Sequence, residues 1–184
     1  MTKNSHRINL LTPQEINDLY TIHKFTKLDR EVFFDLDESE RKFVNTKASI
    51  NKTRATLVFQ LGYFKASGLF FDNIIFDEYS DDFKFITENI LGEFSLKFKD
   101  KLGYDSRIKQ IKDIAEFLEF ISWKDSDKSK VGNHLLNLLR SHANSKDALR
   151  ELLIYFENQK IILPTYRNLQ DLFTSCISIE NSRL

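Results

Sequence analysis

Asp72, Asp77, Asp81 and Asp82 are the first side chains whose types and spacing invite chemistry. A cluster of acids can hold a divalent ion and cleave a phosphodiester. These four have no histidine beside them and belong to one acidic run with Glu78, Glu88 and Glu93, so a solvated face is the expectation. His134 and His142 stand eight positions apart, outside the HExxH spacing of a helical zinc pair, and read as surface or partly buried histidines. Cys176, the single cysteine, falls in a late apolar segment and reads as core. No glycine-rich phosphate loop occurs. The sequence therefore offers no catalytic residue, no metal ligand and no cofactor.

A different chemistry is written ahead of the acids. From Arg41 to Phe71 the chain carries Arg41, Lys42, Lys47, Lys52, Arg54 and Lys65 without one Asp or Glu. The formal net charge is +0, so the charge is sorted into blocks, and a local positive field matters more to a partner than the sum. Asn45, Thr46, Ser49, Asn51 and Thr53 gather at the start of the segment that follows. A helix N-terminus with such neighbours suits phosphate oxygens, and Asn and Arg can pair with base edges in a major groove. The ordinary alternative is a solvated basic turn. Arg107, Lys109, Gln110 and Lys112 form a second group near the start of a later helix, where cations oppose the helix dipole unless an anion is close.

Those residues must be positioned by helices. Leu57, Leu61 and Phe64 recur at i, i+4, i+7, which predicts an amphipathic helix over about Thr53–Ala66 with Gly68 as its C-terminal cap. Asp37 with Glu40 marks the start of a preceding helix that buries Phe43 and Val44. Two short helices joined by a turn at Lys47–Lys52 have the outline of a helix-turn-helix. Upstream, residues to about Asn9 read as a loose arm. Thr12-Pro13-Gln14-Glu15 reads as a capping box with Ile16 and Leu19 inward, and Leu28–Phe34 as one or two turns. Downstream, Leu69–Phe76 is an apolar connection and Ser80–Leu91 a helix with Phe83, Ile86 and Ile90 inward. Phe94–Phe98 alternates, fitting a short helix or a strand. Ser106–Phe120 is a helix whose Ile111, Ile114, Phe117 and Leu118 share a side with Ile121. A Leu135–Leu139 helix, one capped by Ser145, and a last one through Leu169 and Phe173 after Pro164 complete the chain.

Composition bounds the rest. The 184 residues suffice for one domain or two small helical subdomains. Only 5 Gly and 2 Pro disfavour a many-stranded sandwich, and 17 Phe imply a core packed with rings, with Trp123 among them. No apolar run is long enough for a membrane span, and the first residues, MTKNSHRINLL, lack the long apolar segment expected of a secretory signal. One cysteine fits a reducing cytoplasm. The fold class expected is all-α: a multi-helix domain over residues 8–180 with helix-turn-helix-like pairs and seams near 72 and 124–131.

With these residues in place, the chain resembles the N-terminal region of transposases of the Tn-three family of replicative transposons. Leu11-Thr12 with Glu15, then Arg30 and Phe34-Asp35-Leu36, are similar to its opening LT..E and R..y.L stretches. Thr53-Arg54-Ala55-Thr56-Leu57-Val58-Phe59-Gln60-Leu61 with Phe64-Lys65 and Gly68 resembles NRLGFALQL..LR..GR. Ser106-Arg107, Gln110, Ile114, Leu118 and Phe120 resemble TR..H...I...LGF, and Ile161-Ile162-Leu163-Pro164-Thr165-Tyr166 with Leu169 resembles IVLP.Y..L. The order and spacing carry the likeness over Ile8 to Ile179. The sequence departs from the family at Thr53 for Asn, Thr56 for Gly, Leu69 for Arg, Gln110 for His and Glu119 for Gly.

The resemblance implies a helical module that binds double-stranded DNA at transposon terminal inverted repeats, in the cytoplasm. It implies no catalysis in this chain, because the family's chemistry belongs to a separate RNase-H-like domain, through whose remainder the protein could self-associate. The expected DNA contacts are Arg41, Lys42, Lys47, Asn51, Lys52, Thr53 and Arg54, then Lys65, Arg107, Lys109, Gln110 and Lys112. The alternative expectation is a helical protein-interaction module without DNA, using Leu69–Phe76.

Overall fold

The computed structural model describes residues 7–92, 102–142 and 144–183. The alternating stretch Phe94–Phe98 lies outside them. Among the described residues the fold is all-α, as expected. The elements run α1 (Pro13–Tyr20), α2 (Lys27–Phe33), α3 (Glu38–Lys47), α4 (Asn51–Ser67), a 3-10 turn (Phe76–Tyr79), α5 (Ser80–Phe85), a π turn (Ile86–Ile90), α6 (Tyr104–Phe117), α7 (Lys128–Ser141), α8 (Ser145–Asn158) and α9 (Tyr166–Asn181). No helix among them is long and apolar enough to cross a membrane. The chain divides into two compact units, one of Ile22–Glu119 and one of Met1–Thr21 with Phe120–Leu184. The position near 72 lies inside the first of these, and α7 begins within the 124–131 segment.

Unit 22–119 is built around α4. Ten successive residues, Ala55 to Phe64, are buried, so the expected amphipathic stripe is corrected to burial all round the helix middle. The reason is that α2, α3, α5, the π turn and α6 all contact it. Gly62 permits a close approach, since a Cβ there would lie 2.5 Å from Phe34 Cδ1. The Phe-rich composition resolves into stacked and edge-on rings, with Phe25 on Tyr63 at 3.8 Å and Phe59 on Phe83 at 4.7 Å between centroids. Capping boxes open α2 at Thr26 with Asp29, which the sequence reading missed, and α3 at Asp37 with Glu40, which it found. Gly68, with φ 68°, ends α4 in the left-handed conformation.

Three expectations are corrected in this unit. Asp82 is not part of a solvated acidic face: it is 2% exposed and accepts from Arg30 Nε and from the Tyr63 hydroxyl at 2.7 Å, while Tyr63 Oη accepts from Phe25 N at 3.1 Å. Burial and the Asp82 hydrogen bond hold the Tyr63 phenol above its ordinary range. The Leu69–Phe76 connection is largely packed away and not the exposed surface that the protein-interaction alternative needs, because Phe71, Ile74 and Phe76 are buried and only Ile75 among its large apolar side chains is clearly exposed. Ile121 does not continue α6. That helix ends at Phe117, Glu119 takes a left-handed φ of 62°, and Ile121 belongs to the other unit.

In that other unit α7, α8 and α9 close on Val131, Leu135, Leu149, Leu152, Phe156, Leu169 and Phe173, with Cys176 buried among them as expected. Thr12 and Glu15 form the capping box read from sequence. Residues 7–9 are not a loose arm: Ile8 N donates to Thr174 Oγ1 at 3.3 Å and Gln170 Nε2 donates to Ile8 O at 2.9 Å, while just beyond them Leu10 N and Leu11 N donate to Tyr166 Oη at 3.0 and 3.1 Å. The cap of α8 is Asn144 rather than Ser145, because Asn144 Oδ1 accepts from Asp147 N. Ile121 and Ile161 form an isolated parallel bridge, with Ile121 N donating to Lys160 O at 2.7 Å.

Candidate nucleic-acid interface

Every residue singled out for DNA contact falls in unit 22–119. The α3 helix ends at Lys47, residues 48–50 turn, and α4 starts at Asn51 with Ile50 as its N-cap. Ile50 has no side-chain acceptor and is 66% exposed, so the first N–H groups of α4 receive no side-chain cap. The Thr53 hydroxyl, which could have offered one, donates back to Ile50 O at 2.8 Å. An uncapped helix start is a place where an anion is stabilised by free N–H groups and by the dipole.

Beside that end α6 closes a groove of about 210 Å³. Its polar lining comes from Lys47, Ser49 and Thr53 on one side and Ser106, Lys109, Gln110 and Asp113 on the other. Gln110 joins the two helices, its Nε2 donating to Thr53 O at 3.0 Å and to Thr56 Oγ1 at 2.9 Å. Gln110 is 6% exposed, and its Oε1 has no partner among the described residues. The fold thus brings together the two groups of candidate residues that the sequence keeps more than fifty positions apart.

The cations divide into two sets. Lys47 Nζ meets Asp113 Oδ1 at 2.8 Å, and that hydrogen bond raises the lysine's pKa. Lys65 Nζ meets Glu40 Oε1 at 2.8 Å, Arg41 Nη2 lies 3.7 Å from Asp35, and Arg107 Nη1 lies 3.8 Å from Asp72. Arg107 also stacks over the Tyr104 ring at 5.2 Å. The expectation of a positive stretch without acids against it is corrected at Lys47 and Lys65, and Arg41 has the exposed Asp35 near it. Acids from outside the stretch fold back on it, and sequence distance does not reveal them. Lys42, Lys52, Lys109 and Lys112 form no ion pair among the described residues, although Lys52 Nζ sits 5.8 Å from the Phe76 ring. Arg54 Nη2 donates to Asn45 Oδ1, and Asn51 is exposed at the start of α4.

Ser106 and Asp113 were missed as groove residues. Their signal was spacing, since they lie at i−4 and i+3 from Gln110 on one helix face. No group of His, Cys, Asp or Glu among the described residues is arranged to hold a metal ion.

A family model described as a domain of unknown function, DUF4158, matches residues 10–176. No curated protein and no solved structure matches the chain.

Proposed function

The chain belongs to the DUF4158 family, and from that premise we propose that it is the DNA-binding module of a Tn-three-like replicative transposase, recognising the terminal inverted repeats of the transposon. The observation that carries the reading is the groove at the start of α4, a helix end without a side-chain cap, which Lys109 and Ser106 of α6 line together with Ile50 and Thr53. Such a site takes a backbone phosphate, and the exposed Asn51 beside it has the chemistry to read a base edge. A second observation supports the resemblance: Glu119, which stands where the transposase family has glycine, holds a left-handed φ of 62° that favours glycine. In this reading the strand chemistry is done by a separate domain and the module acts in the cytoplasm. The protein-interaction alternative is weakened by burial of the connection it would have used.

The test is an electrophoretic shift with terminal-repeat duplex against scrambled duplex at several salt concentrations. Four unpaired lysines, each neutralising a phosphate, give a slope of log K on log salt of about −3.6. The Lys52→Ala, Lys109→Ala double variant lowers affinity sharply with helical content retained. A flat salt dependence, or equal affinity for both duplexes, overturns end recognition.

A further inference from the structure

A second recess in unit 22–119, about 60 Å³, is bordered by Arg41 and Asn45 of α3, Arg54 of α4 and the end of the π turn, with buried Leu36 and Val44 in its lining. At roughly 30 Å³ per water, that is the space of about two waters, the scale of a single tetrahedral oxyanion. Arg54 is satisfied on one edge only: Nη2 donates to Asn45 Oδ1 at 2.5 Å, whereas Nε is buried and has no acceptor among the described residues. A buried guanidinium N–H without an acceptor is a destabilising arrangement that a native structure rarely keeps without a reason. Arg41 uses Nε on Leu36 O at 3.0 Å, and its Nη2 stands 3.7 Å from Asp35, beyond hydrogen-bond distance. Asp35 is 74% exposed, so solvent screens it. Two guanidinium groups therefore face one small recess with donors to spare and one loosely placed carboxylate nearby.

Planar guanidinium forks match phosphate oxygens in a way that an ammonium does not. We infer that this recess binds one phosphate oxyanion between the guanidinium groups of Arg41 and Arg54. The inference extends the DNA reading to a site distinct from the α4–α6 groove. Its chemistry is shared by inorganic phosphate and by a phosphodiester of a duplex backbone.

The experiment uses the whole chain as wild type, Arg54→Lys and Arg41→Ala, with helical content checked by circular dichroism. Inorganic phosphate is titrated calorimetrically against chloride at matched ionic strength, and terminal-repeat duplex binding is measured in parallel. Saturable binding of one phosphate, weakened about tenfold in Arg54→Lys although the charge is kept, supports a free-phosphate site. No phosphate binding, with duplex affinity lowered about tenfold in both variants, assigns the recess to a backbone phosphodiester. If neither ligand responds to either substitution, the inference is overturned. If wild type binds no duplex at all, the DNA reading fails alone, and the phosphate titration still decides this site.

Discussion

In unit 22–119 the core is rich in rings and also holds Glu40, Thr56, Gln60, Asp82, Thr87 and Gln110, whereas the core of the other unit is mostly aliphatic around Leu135, Leu149 and Leu152, with Phe156 and Phe173 its buried rings and Ser126 its one buried polar residue among those described. Among the described residues, the three buried side-chain polar atoms without a partner, on Arg54, Gln60 and Gln110, all lie in the ring-packed unit. Polar groups are costly to bury, and chains depart from the apolar rule where a site or a specific geometry requires it. The aliphatic unit follows the rule and reads as scaffold. The ring-packed unit breaks it around α4, where every candidate contact lies.

The contrast can be broken most directly at Asp82. Asp82→Ala leaves the mostly buried Arg30 guanidinium and the Tyr63 hydroxyl without their acceptor, and we expect a loss of about 3–5 kcal/mol in denaturant unfolding. An unchanged midpoint would show that the buried network holds nothing together. The next effect separates the units by its sign. Gly62→Ala drives a methyl to 2.5 Å from Phe34 Cδ1 and 3.0 Å from Phe33 O, so it should destabilise by about 1–3 kcal/mol despite the better helix former. Gly132→Ala in α7 meets nothing within 4 Å and should stabilise by about 0.5–1 kcal/mol. Changes of the same sign in both, read from thermal or denaturant midpoints, would remove the packing argument.

The smallest effect belongs to the scaffold unit. Glu15 is lowered from 4.5 to about 2, first by its hydrogen bond with Lys146 and then by the Thr12 backbone and hydroxyl. A carboxyl depressed on folding contributes stability above its unfolded pKa, and that contribution fades as pH falls from about 4.5 towards 2. Glu15→Gln should therefore flatten this part of the stability–pH profile by lowering the neutral side, the variant being less stable than wild type above about pH 4.5 and converging on it as the pH falls towards 2. A profile that keeps its acid slope in the variant would assign the slope to other carboxylates.

Much of the local structure was legible in the chain. Thr12 with Glu15, Asp37 with Glu40, and Gly68 mark helix ends because capping is a contest among near neighbours. The helix-rich class followed from periodicity and from the scarcity of glycine and proline. The Asn144 cap was misread by one position, since Asn and Ser both cap and only geometry chooses between them. Of the candidate site, the cations were legible as types, but their partners were not.

By itself, the sequence determined which segments form helices and which side chains carry positive charge, because both depend on residues within a few positions. Tertiary structure alone decided that Asp113 would meet Lys47, that Glu40 would meet Lys65, and that Gln110 would reach Thr53. Each of these rests on chain segments brought together by burial of α4, a non-directional force that leaves no local mark in the sequence. The same packing turned Asp82 inward and left Lys42, Lys52, Lys109 and Lys112 as the lysines of the candidate set without an ion pair among the described residues.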